Sequence, residues 1–150
     1  MKFNTVSQVI SFARKLEEDG AGFYESAAKQ YAKDSEVLRG FVNENKKNIT
    51  RVERAYYSAI TDALEGGFAF DLDPDEYTFN PDVSMNKTYS DAIETAIRME
   101  EKTARFYDKA AQQAKPLMAD VPRAFSIMAR LRDDRRQKLT ALLDTRNPTK

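Results

Sequence analysis

The chain has no cysteine, no histidine and no tryptophan among its 150 residues. Without cysteine there are no disulfides, thiol nucleophiles, Fe–S clusters or cysteine-ligated zinc sites. Without histidine the commonest metal ligand and the commonest general base are missing, and nucleophilic triads in their usual forms are excluded. Glycine and proline number only five each, few for an all-β protein. Neither sign of charge dominates: 24 Lys+Arg against 24 Asp+Glu leave a formal net charge of zero. That balance argues against a main role in gripping nucleic acid or anionic lipid. Nothing approaches the roughly 18 consecutive apolar residues of a membrane span. The N-terminal residues Met1 to Ser7 lack the apolar stretch, about 7–15 residues long, of a signal peptide. The expectation is a cytoplasmic helical protein with no nucleic-acid or membrane partner. Its length fits one domain, 1–150, since domains usually run to about 100–200 residues.

Gly66-Gly67, Pro74 and Pro81 fall in one central stretch, and Pro116 and Pro122 bracket a short link near residue 119. Such residues punctuate structure. Between them lie four runs of helical periodicity, about 6–32, 36–65, 89–115 and 122–144, which predict a bundle with one long crossover between the second and third helices. The halves repeat. A shift of 83 lays Ile10, Ala13, Glu17, Glu18, Ala21, Phe23, Tyr24, Ala27, Ala28 and Gln30 onto identical residues from Ile93 to Gln113. Thr5-x-x-Gln8 and Thr88-x-x-Asp91 repeat a capping-box pattern at each helix start. Helices 2 and 4 align more loosely, through Leu38/Phe125, Phe41/Met128 and Val42/Ala129. A duplicated helical hairpin with pseudo-twofold symmetry is expected.

The crossover, about 66–88, holds Phe68, Phe70, Leu72, Tyr77 and Phe79. Its rings are expected to cover the bundle flank, with a dimer contact as the alternative, and the alternation at 68, 70 and 72 allows a short extended piece. Asp71, Asp73, Asp75 and Asp82 imitate a calcium loop. Pro74 and Glu76 stand where such a loop needs freedom and glycine, which argues against it.

The inward positions carry the most information. Helix 1 reads Ile10, Ala13, Glu17, Ala21, Tyr24, Ala28, Tyr31, and helix 3 repeats it as Ile93, Ala96, Glu100, Ala104, Tyr107, Ala111. Helix 2 presents Asn45 and Asn48 between Val42 and Val52, and helix 4 presents Arg132 and Arg135 between Met128 and Leu139. Each seam is apolar at both ends and polar in the middle. A buried carboxylate needs a partner, so Glu17 and Glu100 are expected to be protonated, metal-bound or paired with cations. Glu44, Asp133 and Asp134 lie one residue off the seam and are expected in solvent.

The pattern Glu17-x6-Tyr24 with Phe23, repeated as Glu100-x6-Tyr107 with Phe106, resembles helices 1 and 3 of the rubrerythrin branch of the ferritin-like di-iron proteins. The duplicated hairpin and long crossover match as well. The resemblance implies an all-α, ferritin-like up-down four-helix bundle. It also implies two metals held by one Glu from each of helices 1 and 3 and by Glu-x-x-His from each of helices 2 and 4. Glu17 and Glu100 match that pattern. Asn45-x-x-Asn48 and Arg132-x-x-Arg135 replace the other ligands. Amides are poor substitutes for carboxylate and imidazole, and guanidinium is no ligand. The cysteine-ligated iron site of rubrerythrins proper has no counterpart.

Two glutamates and two arginines sum to zero, so the guanidinium groups can sit where the metals would, with Asn45 and Asn48 completing the hydrogen bonding. The function expected is a non-catalytic helical bundle with a degenerate di-iron site, serving as a structural, binding or regulatory module. It is expected to form a homodimer or other homo-oligomer and to need no metal or cofactor. Glu17, Asn45, Asn48, Glu100, Arg132 and Arg135 are its vestigial positions, flanked by Tyr24 and Tyr107. The alternative is a rubrerythrin-like oxidoreductase that keeps iron, or another divalent metal, through Glu17 and Glu100. A third class is a small-molecule or anion binder with Arg132 and Arg135 as a polar floor. A nucleic-acid face on helix 4 is disfavoured because Asp133 and Asp134 interrupt Arg130, Arg132, Arg135, Arg136 and Lys138.

Overall fold

A computed structural model describes residues 2–83, 86 and 88–146 of the chain. Four helices make up the molecule: α1 (Val6–Gln30), α2 (Ser35–Gly66), α3 (Tyr89–Gln113) and α4 (Asp120–Arg146). The architecture is an all-α four-helix bundle built from two helical hairpins, α1 packed on α2 and α3 packed on α4. None of the helices, among the described residues, is long and apolar enough to cross a membrane.

Local chemistry sets the helix ends. Thr5 accepts from the Gln8 N–H while the Gln8 side chain accepts from the Thr5 N–H, a complete capping box. Thr88 accepts from the Asp91 N–H at 3.0 Å, the corresponding cap of α3. α2 ends at Gly67, whose φ of 66° is the left-handed conformation that glycine adopts without strain. α4 begins two residues earlier than the pattern predicts. Pro122 falls in its first turn, where a missing N–H breaks no helical bond.

The crossover runs the length of the bundle. Near its start Leu72 forms an isolated bridge with Phe3, and the Phe70 N–H donates to Asn4 O at 2.8 Å, which ties it to the N-terminal end of α1. At its far end Tyr89 donates to Asp34 at 2.6 Å, at the turn between α1 and α2. Phe70, Leu72 and Tyr77 are buried, and Phe68 and Phe79 pack against the core from partly buried positions. The rings thus cover the flank; positions 84, 85 and 87 of the crossover lie outside the described residues. Asp73 caps a single 3-10 turn at Pro74–Glu76, and Asp71 faces Lys2 across 3.5 Å, so these acids serve local contacts.

The apolar core falls into two clusters, one at each end of the bundle. One gathers Val9, Leu16, Phe106, Phe125 and the crossover residues. The other gathers Phe23, Leu38, Phe41, Ile93, Met99 and Leu139. A polar layer separates them.

Candidate functional site

All four helices feed that layer. Glu17, Asn45, Asn48, Glu100, Arg132 and Arg135 are each at most 2 % exposed. Polar side chains this deeply buried are costly unless they are hydrogen-bonded or paired.

Arg132 sits at the centre. Its Nη1 donates to both carboxylate oxygens of Glu100 at 2.9 Å, and its Nη2 donates to Oε2 of Glu17. The planar fork therefore spans two carboxylates on different helices instead of clamping one. Burial alone would lower the tendency of Arg132 to hold its proton, but the Glu100 and Glu17 charges overcome that and raise it further. The guanidinium is permanently cationic.

Arg135, one turn away, lies over the rings of Phe41 and Tyr24, 4.8 and 5.4 Å from their centroids, the two rings meeting edge to face at 5.2 Å. It donates to Asn45 Oδ1 at 2.8 Å, to Glu44 at 3.0 Å and to Glu100 at 3.4 Å. Asn45 passes the chain of bonds on, donating to the backbone carbonyl of Glu17 at 3.1 Å.

The tyrosines cross over. Tyr24 of α1 donates to Glu100 of α3 at 2.6 Å, and Tyr107 of α3 donates to Glu17 of α1 at 3.2 Å. Each glutamate is thus bonded by the tyrosine of the opposite repeat. Both phenols are pushed well above the usual tyrosine range, chiefly by burial and then by the carboxylate each one faces. They stay protonated and act as donors.

A model of the ferritin-like domain matches residues 5–115. The chain belongs to the ferritin-like domain family. Comparisons with curated proteins and with solved structures return no match. The matched residues take in α1, α2, the crossover and α3 of this ferritin-like domain, while α4, with both arginines, lies beyond them.

Seven of the eight residues singled out from the sequence join in one cluster; Asn48 stands apart. Asn48 is buried, but its oxygen accepts from Arg51 of its own helix at 3.1 Å. An arginine one turn along reaches back from the surface and takes it. Glu44 corrects the expectation for the off-seam acids: its carboxylate, half exposed, reaches in to Arg135. A long side chain one step off a seam can bend its head towards a cation while its stem stays at the rim. Asp133 pairs with Arg136 at 3.0 Å, and Asp134 is exposed.

Gly20 and Thr103, related by the repeat, escaped notice in the sequence. Both are buried, while Ala21 and Ala104, assigned inward, are only half-buried. A methyl on Gly20 would meet Asn45 Nδ2 at 3.1 Å and Arg132 Nη2 at 3.6 Å, so the glycine leaves room for these two polar heads. Its signal was available: glycine inside a helix costs about 1 kcal/mol and needs a packing reason. Thr103 turns its hydroxyl to Met99 O at 2.9 Å.

Among the described residues no group of three or more acidic side chains is placed to hold a metal ion. Three buried atoms, Glu17 Oε1, Arg132 Nε and Arg135 Nε, have no hydrogen-bond partner among the described residues.

Proposed function

We propose that this ferritin-like domain is a rubrerythrin-related bundle with a degenerate di-iron site, non-catalytic at its centre, and that it works as a structural or binding module. The observation that carries the reading is Arg132, whose guanidinium bridges Glu17 and Glu100 from the middle of the bundle. A metal pair at that place does not fit this donor set. Two carboxylates are already engaged by a fixed cation, the neighbouring positions offer amide and guanidinium, and two positive arginines repel further cations. The charge that metals would supply comes instead from side chains, so the four helices are held in register by a salt-bridge network. Replacing a buried ion network by apolar side chains is often neutral or stabilising, so the role read here is register and not added net stability.

The competing reading, an oxidoreductase that keeps iron through Glu17 and Glu100, requires Arg132 to leave the centre. Anion binding on Arg132 and Arg135 is disfavoured because both guanidinium groups are already bonded to carboxylates.

Purification of the chain from cells supplied with iron, followed by metal analysis and an ultraviolet–visible spectrum, tests the proposal. Metal well below one ion per chain is expected, with no iron-dependent absorption. A stoichiometric ion that is lost in Glu17→Gln and in Glu100→Gln would overturn it.

A further inference from the structure

α2 and α4 lie side by side and antiparallel, Asp62 meeting the link that precedes α4 and Asn45 meeting Arg135. Between their outer surfaces runs a shallow groove of about 330 Å³, with Ala55, Ala124 and Ile127 as its floor and Arg51, Arg54 and Ser58 as its α2 wall. Helical spacing extends it. Leu131, four residues beyond Ile127 and half-buried, continues the floor, and Lys47, four before Arg51, continues the wall. From Lys47 to Ser58 the wall is about 16 Å long, three turns of helix. Ile127 is 38 % exposed, which leaves an apolar strip open at the centre.

The rims carry mostly positive charge. Lys47, Arg51 and Arg54 are exposed on α2, and Arg123 and Arg130 are exposed on α4, each one residue before a floor residue and so on its outer rim. Asp120 and Asp134 stand at the two ends of the same stretch. Five cations against two acids leave a local excess of three positive charges in a chain whose net charge is zero. Among the described residues none of the five forms a salt bridge. α1 is different, since Arg14, Lys15 and Lys29 each meet an acid four residues away. On α2 no acid stands four residues before or after Lys47, Arg51 or Arg54, so the helix does not neutralise them itself.

The fold decides how a partner can bind here. Backbone groups in the middle of a helix are bonded within it, so the groove offers no edge for strand addition and recognition rests on side chains. A groove between two helices with a floor of apolar residues receives the apolar stripe of a third helix. A nucleic-acid backbone fits less well. It would lay phosphates on Asp120 and Asp134 as well as on the arginines, and no aromatic ring lines the groove to stack on a base.

We propose that the α2/α4 groove docks an acidic amphipathic helix of another protein, about 11–14 residues long, with its apolar stripe over Ile127 and its carboxylates towards the cations of both rims. The groove is separate from the buried layer, so each reading can fail without the other.

Fluorescence anisotropy with the full chain and a labelled synthetic helix of about 14 residues, two repeats of Leu-Glu-Glu-Leu-Leu-Glu-Glu, tests the proposal. Binding with a Kd of about 10–100 µM at low salt is expected, weakening severalfold at about 200 mM salt. Lys47→Glu with Arg54→Glu is expected to weaken it about tenfold, and Ile127→Asp to do the same. Arg51 is left in place because it also bonds Asn48. Lys109→Glu with Lys115→Glu, an equal change of charge on exposed residues outside the groove, is expected to leave the affinity unchanged. Circular dichroism checks that each variant is folded, and if Ile127→Asp is not, the two charge variants decide. No binding at about 1 mM chain overturns the proposal. So does equal binding of the same peptide with lysine in place of glutamate, or an equal loss in the Lys109 and Lys115 variant. Tighter binding of single-stranded DNA than of the peptide also overturns it. So does a dimer of the chain that Ile127→Asp splits, which would assign the groove to a second copy.

Discussion

Arg132→Ala is the substitution on which the reading of the buried layer depends most. Arg132 is 1 % exposed, heads the fully buried side chains by volume, and bonds two carboxylates, and among the described residues no other lysine or arginine comes within 4.0 Å of Glu17. Its removal leaves Glu17, Glu100 and Arg135 as a buried cluster of net charge −1, and leaves an empty space as well. Breaking a buried pair costs roughly 3–5 kcal/mol, and the cavity places the loss towards the upper end. For a chain of this length each kcal/mol moves the melting temperature by about 2–4 °C, so a fall of about 6–20 °C is expected. The assay is thermal and urea unfolding followed by far-ultraviolet circular dichroism. Adding Glu17→Gln makes the cluster neutral again, and it is the better choice of the two glutamates. Glu17 uses only Oε2, its other oxygen being unpartnered, so an amide there forfeits least. The double variant should recover part of the loss but not the cavity component. If Arg132→Ala stays within about 1 kcal/mol of the parent, or if Glu17→Gln deepens its loss, charge compensation is not what holds this layer together.

Tyr24 and Tyr107 carry raised pKa values in the folded state, so the unfolded chain releases their protons first as pH rises. Their contribution to stability is therefore intact below about pH 10 and is lost above it. In a spectrophotometric titration of the seven tyrosines, these two should ionise only together with loss of helix; smooth ionisation of all seven in an intact bundle would contradict the buried geometry. Among the glycines, Gly22 is exposed with open space around it, so Gly22→Ala should stabilise by about 0.5–1 kcal/mol. Gly20→Leu should instead destabilise, because even its first carbon meets Asn45 and Arg132. Equal melting temperatures for these two variants would show that Gly20 is not a spacer for the polar heads.

Much of this was legible in the sequence. Apolar periodicity marked the four helices to within about two residues, since a bundle helix must bury one stripe of its surface whatever its neighbours are. Ten identical pairs at one spacing exposed the duplication. Four polar interruptions at the same height marked the buried layer, because polar groups out of water must find one another. The same residues carried the likeness to the ferritin-like family.

Other features depended on how the helices are brought together. Steps of four residues from Glu17 and Glu100 put Ala21 and Ala104 inward, but the alternating three-four spacing begun by Ile10, Ala13 and Glu17, and by Ile93, Ala96 and Glu100, continues to Gly20 and Thr103, and these are the positions the packing buries. Tyr24 is two turns from Glu17 on the same helix, too far to bond it. Only the packing of α1 beside α3 supplies Glu100 as its acceptor. Asn48 and Arg51 share a helix, yet burial of the first beside the second decided that they pair with each other. Sequence fixes which charges must be buried and that they sum to zero. Which cation meets which carboxylate is a matter of ångströms between helices, and the tertiary structure alone decided that one guanidinium bridges both glutamates while the other turns to Asn45 and Glu44.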